Sequence, residues 1–307
     1  ALLDELQAAE AAGAEALARW CASCTDAGLR GGLRVIQARD AAHARLAQRR
    51  LAALGGVPHG TVSRELDQLC GVLAAPEVSS RSKLTILLAR FPTPRAEPPA
   101  PAARDPGDDE TRALIATIRD DDRASVRWLH EIGERPPDES SVPLVTSEAV
   151  LGFLDAYRAA ETAGGDVVGA WRAVCQLPGL RGGLDTIAER EHTHAALLAA
   201  RLQELGGVAR ARMPEDVLEP ARDRFGSSDR SDEEKLASVI ARVPDEESVT
   251  RPVLEVAQTI EADAETREML CLIAAGEAAT FAWLRSYWKA ITDYPRNVSL
   301  RVLDGGR

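Results

Sequence analysis

GLRGGLRVIQARDAAHARLAQRRLAALGG, residues 28–56, and GLRGGLDTIAEREHTHAALLAARLQELGG, residues 179–207, are identical at 16 of 29 positions without a gap. The offset, 179 − 28 = 151, holds backwards to Glu10 and Glu161, Trp20 and Trp171, and Cys24 and Cys175. Further on, SKLTILLARFP (82–92) matches EKLASVIARVP (234–244) at offset 152, and ETRALIATIRDDDRASVRWL (110–129) matches ETREMLCLIAAGEAATFAWL (265–284) at offset 155. Small insertions between elements account for the drift. A period this long is a duplicated domain, not a solenoid repeat of about 20–50 residues. The reading is a first domain over 1–135, a Pro-rich linker over 136–146 and a second domain over 147–307.

The repeated segments are helical by pattern. Apolar residues recur at three- and four-residue spacing, strand-type alternation is hard to find, and only 4% of the chain is aromatic. Each half reads as four main helices, over 1–24, 31–54, 80–91 and 108–132, then 147–175, 182–205, 231–243 and 262–291, so the fold class is all-α with one core per half. Each GLRGGL precedes a second helix as a tight turn, the alternative being an anion nest, and each LGG ends that helix. After the third helix PTPRAEPPAPAARDPG (92–107) is too rich in proline to be helical, whereas TRPVLEVAQTIEAD (250–263) admits a further turn or two.

A net charge of −11 argues against a nucleic-acid partner and against an acidic membrane surface. No apolar run approaches the roughly 20 residues of a bilayer span, and no charged-then-apolar leader opens the chain. The first residues, ALLDELQAAEAAG, are already in helical register without a methionine, which implies that a segment has been removed. Five cysteines in no framework spacing suggest a reducing cytoplasm. Cys21 and Cys24 form a CxxC, but late in a helix and without a counterpart for Cys21, so packing is the favoured reading over redox or metal use.

Polar residues interrupt the apolar stripes at matching places. In the second helix of the second half the stripe runs Leu184, Ile187, Glu191, His194, Leu198, Leu202; in the first half it runs Leu33, Ile36, Asp40, His43, Ala47, Leu51. Glu189 and His192 fall off the stripe and read as solvated. The first helices turn Glu10 and Glu161 inward and the fourth helices Asp122 and Glu277, while the third helices offer no inward acid. Converging buried carboxylates require a cation, protonation or hydrogen-bonded partners, because an uncompensated one costs several kcal/mol.

Each half therefore resembles the ferritin-like superfamily, the four-helix bundles related to rubrerythrin and other di-iron carboxylate proteins. That family takes a Glu from each of two helices and an ExxH from each of the other two. The resemblance implies a tandem pair of bundles with internal pseudo-symmetry, forming an internal pseudo-dimer and leaving the chain monomeric. It implies metal ligands at Glu161, Glu191, His194 and Glu277, and at Glu10, Asp40, His43 and Asp122. Ser125 and Thr280 stand where a second histidine would be, so one metal position per half is retained and the other impaired. Iron is the ion implied, with manganese or zinc compatible with the donors. The activity implied is an iron-dependent oxidase or oxygenase with an atypical or single-metal site. A metal-free scaffold or protein-interaction module is the alternative. Between the halves the second is favoured, since it keeps Glu where the first has Asp40 and Asp122.

Overall fold

The computed structural model describes residues 1–92, 108–136 and 147–304, with side chains up to residue 293. The linker beyond Pro136 and the proline-rich segment beyond Pro92 lie outside the described residues. Among those described, the secondary structure is eleven helices without a strand. In the first half these are α1 (Leu2–Ser23), α2 (Ala27–Ala53), α3 (Arg64–Ala74), α4 (Ser80–Arg90) and α5 (Asp109–Gly133). In the second they are α6 (Glu148–Val174), α7 (Pro178–Glu204), α8 (Glu215–Gly226), α9 (Asp232–Arg242), α10 (Glu247–Thr259) and α11 (Ala264–Asp304). Among them, none is long and apolar enough to cross a membrane.

Local chemistry sets the ends. Asp26, Ser63, Ser79, Asp108, Ser147 and Ser231 each accept a backbone N–H of the first turn of α2, α3, α4, α5, α6 and α9, satisfying a donor that the helix itself leaves free. The LGG ends behave as read. Gly55 and Gly206 take φ of 76° and 80°, and Gly56 and Gly207 donate back to the carbonyls of Leu51 and Leu202 at 2.9 and 2.8 Å.

The GLRGGL motifs do not. Both lie inside the first turns of α2 and α7 and not in turns before them. Glycine in a helix costs about 1 kcal/mol relative to alanine, and the missing side chains are used for close approach. A Cβ at Gly31 would stand 2.2 Å from the carbonyl oxygen of Glu265, and one at Gly182 would stand 2.1 Å from that of Glu110. The next glycines receive indoles: Gly32 faces Trp128, and Gly183 faces Trp283, each at about 2 Å from a would-be Cβ.

The carbonyl contacts of Gly31 and Gly182 cross the halves, whereas the two indole contacts stay within one. α1 pairs with α2 and α6 with α7 as hairpins, but α5 packs chiefly along α7, and α11 chiefly along α2. α2 and α7 touch each other at the centre, and Arg45 and Arg49 on α2 grip Glu189 on α7 with pairs of 2.8 and 2.9 Å. Glu189, read as solvated, is thus half-buried in an ion-paired seam, while His192 is exposed beside Asp166. The apolar core follows the same crossing. In place of one core per half, the largest cluster joins Trp20, Leu33 and Leu84 to Leu154, Leu198, Leu202 and Ile273. Two smaller clusters, around Leu46 and Ile118 and around Leu184 and Trp171, belong to the first and second halves respectively.

α3 and α8, which sequence periodicity missed, are short lids against α1 and α6. Cys21 and Cys24 are unbridged, and burial raises both thiols, Cys21 to about 12, so the CxxC is part of the packing around Trp20.

Candidate metal centres

Two clusters of carboxylate and imidazole lie where the helices cross. In the first, one ligand atom each from Glu10 (α1), Asp40 and His43 (α2) and Asp122 (α5) fall within 4.8 Å of one another. His43 is 2% exposed, and its Nδ1 faces Glu10 Oε2 at 3.4 Å and Asp122 Oδ1 at 3.6 Å. The ring nitrogen has no hydrogen-bond partner. Donors held about 2.1 Å from one ion stand about 3.0–3.4 Å from each other, so this spacing, long for a hydrogen bond, suits shared coordination. The opposite ring nitrogen, Nε2, lies 3.2 Å from Asp121 Oδ2. Asp40 rests against α1, where a Cβ at Gly13 would stand 2.9 Å from its Oδ2.

The second cluster brings together Glu161 (α6), His194 (α7) and Glu277 (α11), all buried. His194 Nδ1 lies 3.2 Å from Glu161 Oε2 and 3.1 Å from Glu277 Oε1. Glu191 falls outside this set of three. It packs on α6 opposite Gly164 and is hydrogen-bonded to Glu161. The sequence-read ligands are therefore all neighbours of their own cluster, but the first half, not the second, assembles the four-residue group. Asp40 lies close to the hairpin partner because α1 meets α2 through Gly13, as Glu191 does at Gly164.

The electrostatics are those of crowded acids. Burial first, and then Glu10 and Asp122, push Asp40 well above the usual carboxylate range. Asp122 rises to about 7 through burial and the Glu10 carboxylate, although 42% of its side chain remains accessible. That exposure makes the neighbouring negative charge the firmer of the two causes. In the second cluster burial and Glu277 push Glu161 up to about 9, against the Tyr157 hydroxyl and the Glu191 carboxyl, which pull the other way. Glu191 is raised well above its ordinary value by burial and by Glu277 and Glu161. Burial alone would lower His43, but Asp121 and Glu10 outweigh it and hold the imidazole well above its usual range.

Sequence reasoning missed three groups that build these surroundings. Arg39 and Arg190, equivalent at offset 151, are 3% and 5% exposed, and Asp121 is 1% exposed. Arg190 Nη2 donates to Asp121 Oδ2 at 2.9 Å and Nη1 to Thr280 Oγ1. Arg39 Nη2 donates to the carbonyl of Leu272 at 2.7 Å and Nη1 to Ser125 Oγ at 3.4 Å. Each buried arginine thus reaches the last long helix of the other half. The available signal was Arg at identical stripe-flanking positions in both repeats. One partner of each, Leu272 or Asp121, lies across the duplication, and none has sequence proximity. No family model, curated protein or solved structure matches the chain.

Proposed function

We propose that the chain is a duplicated ferritin-like protein that binds a divalent transition-metal ion through carboxylate and imidazole donors. The observation that carries this is the convergence of Glu10, Asp40, His43 and Asp122 within 4.8 Å, with His43 Nδ1 buried and unpartnered among the carboxylates. Glu161, His194 and Glu277 form a second, smaller donor set, with Glu191 beside it. The reciprocal contacts of Gly31 with Glu265 and Gly182 with Glu110 support two halves related by pseudo-symmetry, an internal pseudo-dimer.

One nitrogen and three carboxylates suit iron, manganese or zinc. Iron bound there supplies one-electron chemistry, the basis of an oxidase or oxygenase. The chain's own residues orient the donors: His43 Nε2 is fixed on Asp121, and Asp40 is confined by α1. The raised acids and His43 would have to give up their protons to serve as donors, so affinity should increase as pH rises through about 7, where Asp122 titrates.

The test is elemental analysis of the purified full chain beside His43→Ala and His194→Ala after growth with iron, manganese or zinc. Bound metal in the parent, lost largely in His43→Ala, is the expected result. A specific observation favours the second reading, a metal-free scaffold: Glu161 and Glu191 already share a hydrogen bond, and His43 already pairs with Asp121, so both clusters possess internal charge compensation. No uptake of any of the three metals would establish that reading.

A further inference from the structure

The two histidines are not held alike. Asp121 and Gly276 are equivalent in the repeat, since 276 − 121 = 155, the offset that also relates Asp122 to Glu277. In the first half Asp121 accepts from His43 Nε2 and is itself held by Arg190 of the second half. In the second half the same place is occupied by a hydrogen atom. A Cβ at Gly276 would meet Arg39 Nη2 at 2.9 Å and His194 Nε2 at 3.3 Å, so Arg39 turns to the Leu272 carbonyl, and His194 Nε2, on a fully buried residue, has no partner. The cavity between the two histidines, lined by Arg39, His43, Asp121, Thr186, Arg190 and His194 among others, measures only about 10 Å³. That is room for a single water at most, and no counter-charge can enter to replace the missing carboxylate.

We propose that Asp121, held by Arg190 across the duplication, is the positioning group that makes the first cluster the tight metal site, and that Gly276 leaves the second cluster the weak one. This rests on the metal-binding reading above. A carboxylate on the far nitrogen of a ligating histidine fixes the tautomer, with the proton on Nε2 and the lone pair of Nδ1 free for the ion, and raises its basicity. His43 meets both conditions. His194 must either bind an ion with a buried Nε2–H that has no carboxylate and at most a single water to accept it, or keep its proton on Nδ1 between Glu161 and Glu277, where it blocks the ion.

The experiment titrates the full chain, after chelator treatment, with Co²⁺, followed by calorimetry and by the d–d absorption of the bound ion. The expected parent behaviour is one tight ion, lost in His43→Ala and kept in His194→Ala. Asp121→Asn keeps a hydrogen-bond acceptor but removes the charge, and is expected to weaken the tight ion about 10–100-fold with an altered spectrum. Gly276→Asp places a carboxylate between His194 and the guanidinium of Arg39, and a second ion is expected to bind about tenfold or more tighter than in the parent. A tight ion lost in His194→Ala and kept in His43→Ala overturns the proposal while leaving metal binding intact. So do unchanged affinities in both Asp121→Asn and Gly276→Asp. If neither of those two variants folds, the histidine pair alone decides. A parent that takes up no Co²⁺ overturns metal binding and this inference together.

Discussion

Gly182→Ala and Gly31→Ala should each destabilise the protein by about 3 kcal/mol or more, at the upper end of overpacking effects. The obstructing atom in each case is a main-chain carbonyl, of Glu110 or Glu265, at 2.1 or 2.2 Å from the new methyl. It belongs to the first turn of a long helix and cannot rotate away. Relief requires α5 to lift from α7, or α11 from α2, with loss of the pairs Arg181–Glu110 and Arg30–Glu265, at 2.8 and 2.7 Å. Chemical denaturation at equilibrium measures the loss. Gly71→Ala, on α3 with open space around it, is the control and should be neutral or slightly stabilising, because alanine is the better helix former. Equal effects at all three positions would show that helix propensity and not the crossing contact is being measured.

The second large effect is a reversal of pH dependence by metal. In the metal-free protein Asp40, Glu161, Glu191 and Asp122 carry raised pKa values, Glu161 about 9 and Asp122 about 7, and His43 is raised as well. Between their unfolded and folded values the native state holds more protons than the unfolded chain. Stability from these groups is therefore full at low pH and is lost as pH rises. The arginine-paired Asp121 acts oppositely, since its lowered pKa makes its contribution disappear only in strong acid. Calorimetric unfolding in the presence of a chelator should show stability falling by about 2 kcal/mol or more from about pH 5.5 to about pH 8.5. With excess Mn²⁺ the slope should flatten or invert, because the ion binds the deprotonated native clusters and stabilises them by mass action. A chelated protein whose stability rises over this interval would mean that the acids are not crowded as described.

How much of this was visible in the linear sequence depended on whether a residue's partner lay in its own half. The stripes Leu33–Ile36–Asp40–His43 and Leu184–Ile187–Glu191–His194 are local, with a period set by the helix alone, and all but one of the sequence-read ligands fall within one or the other cluster. Glu191 is the exception, although it lies against Gly164 of α6 as Asp40 lies against Gly13 of α1. The GLRGGL motif was misread because two adjacent glycines signal a turn when nothing else is known, and the carbonyls that require them come from Glu110 and Glu265, 72 and 234 residues away (182 − 110 and 265 − 31). α3 and α8 escaped because a short helix lying on one neighbour buries little: Leu73 in α3 and Phe225 in α8 are the buried residues of each. The preference for the second half followed side-chain reach, Glu over Asp, whereas the contrast between Asp121 and Gly276 emerges only when both halves are folded together.

The crossed packing of α5 on α7 and of α11 on α2 also bears on how the two repeats can diverge. In a dimer of identical half-length chains, every substitution strikes both centres at once, so an alteration that improves one and ruins the other is not accessible. Fusion into one polypeptide removes that constraint without dividing the interior. Asp121 and Gly276 then become separate letters, inherited independently, although the residues they act on, His43 and His194, line a single cavity. The interlock that runs the largest apolar cluster through both repeats is what lets the two drift apart in chemistry while each continues to scaffold the other.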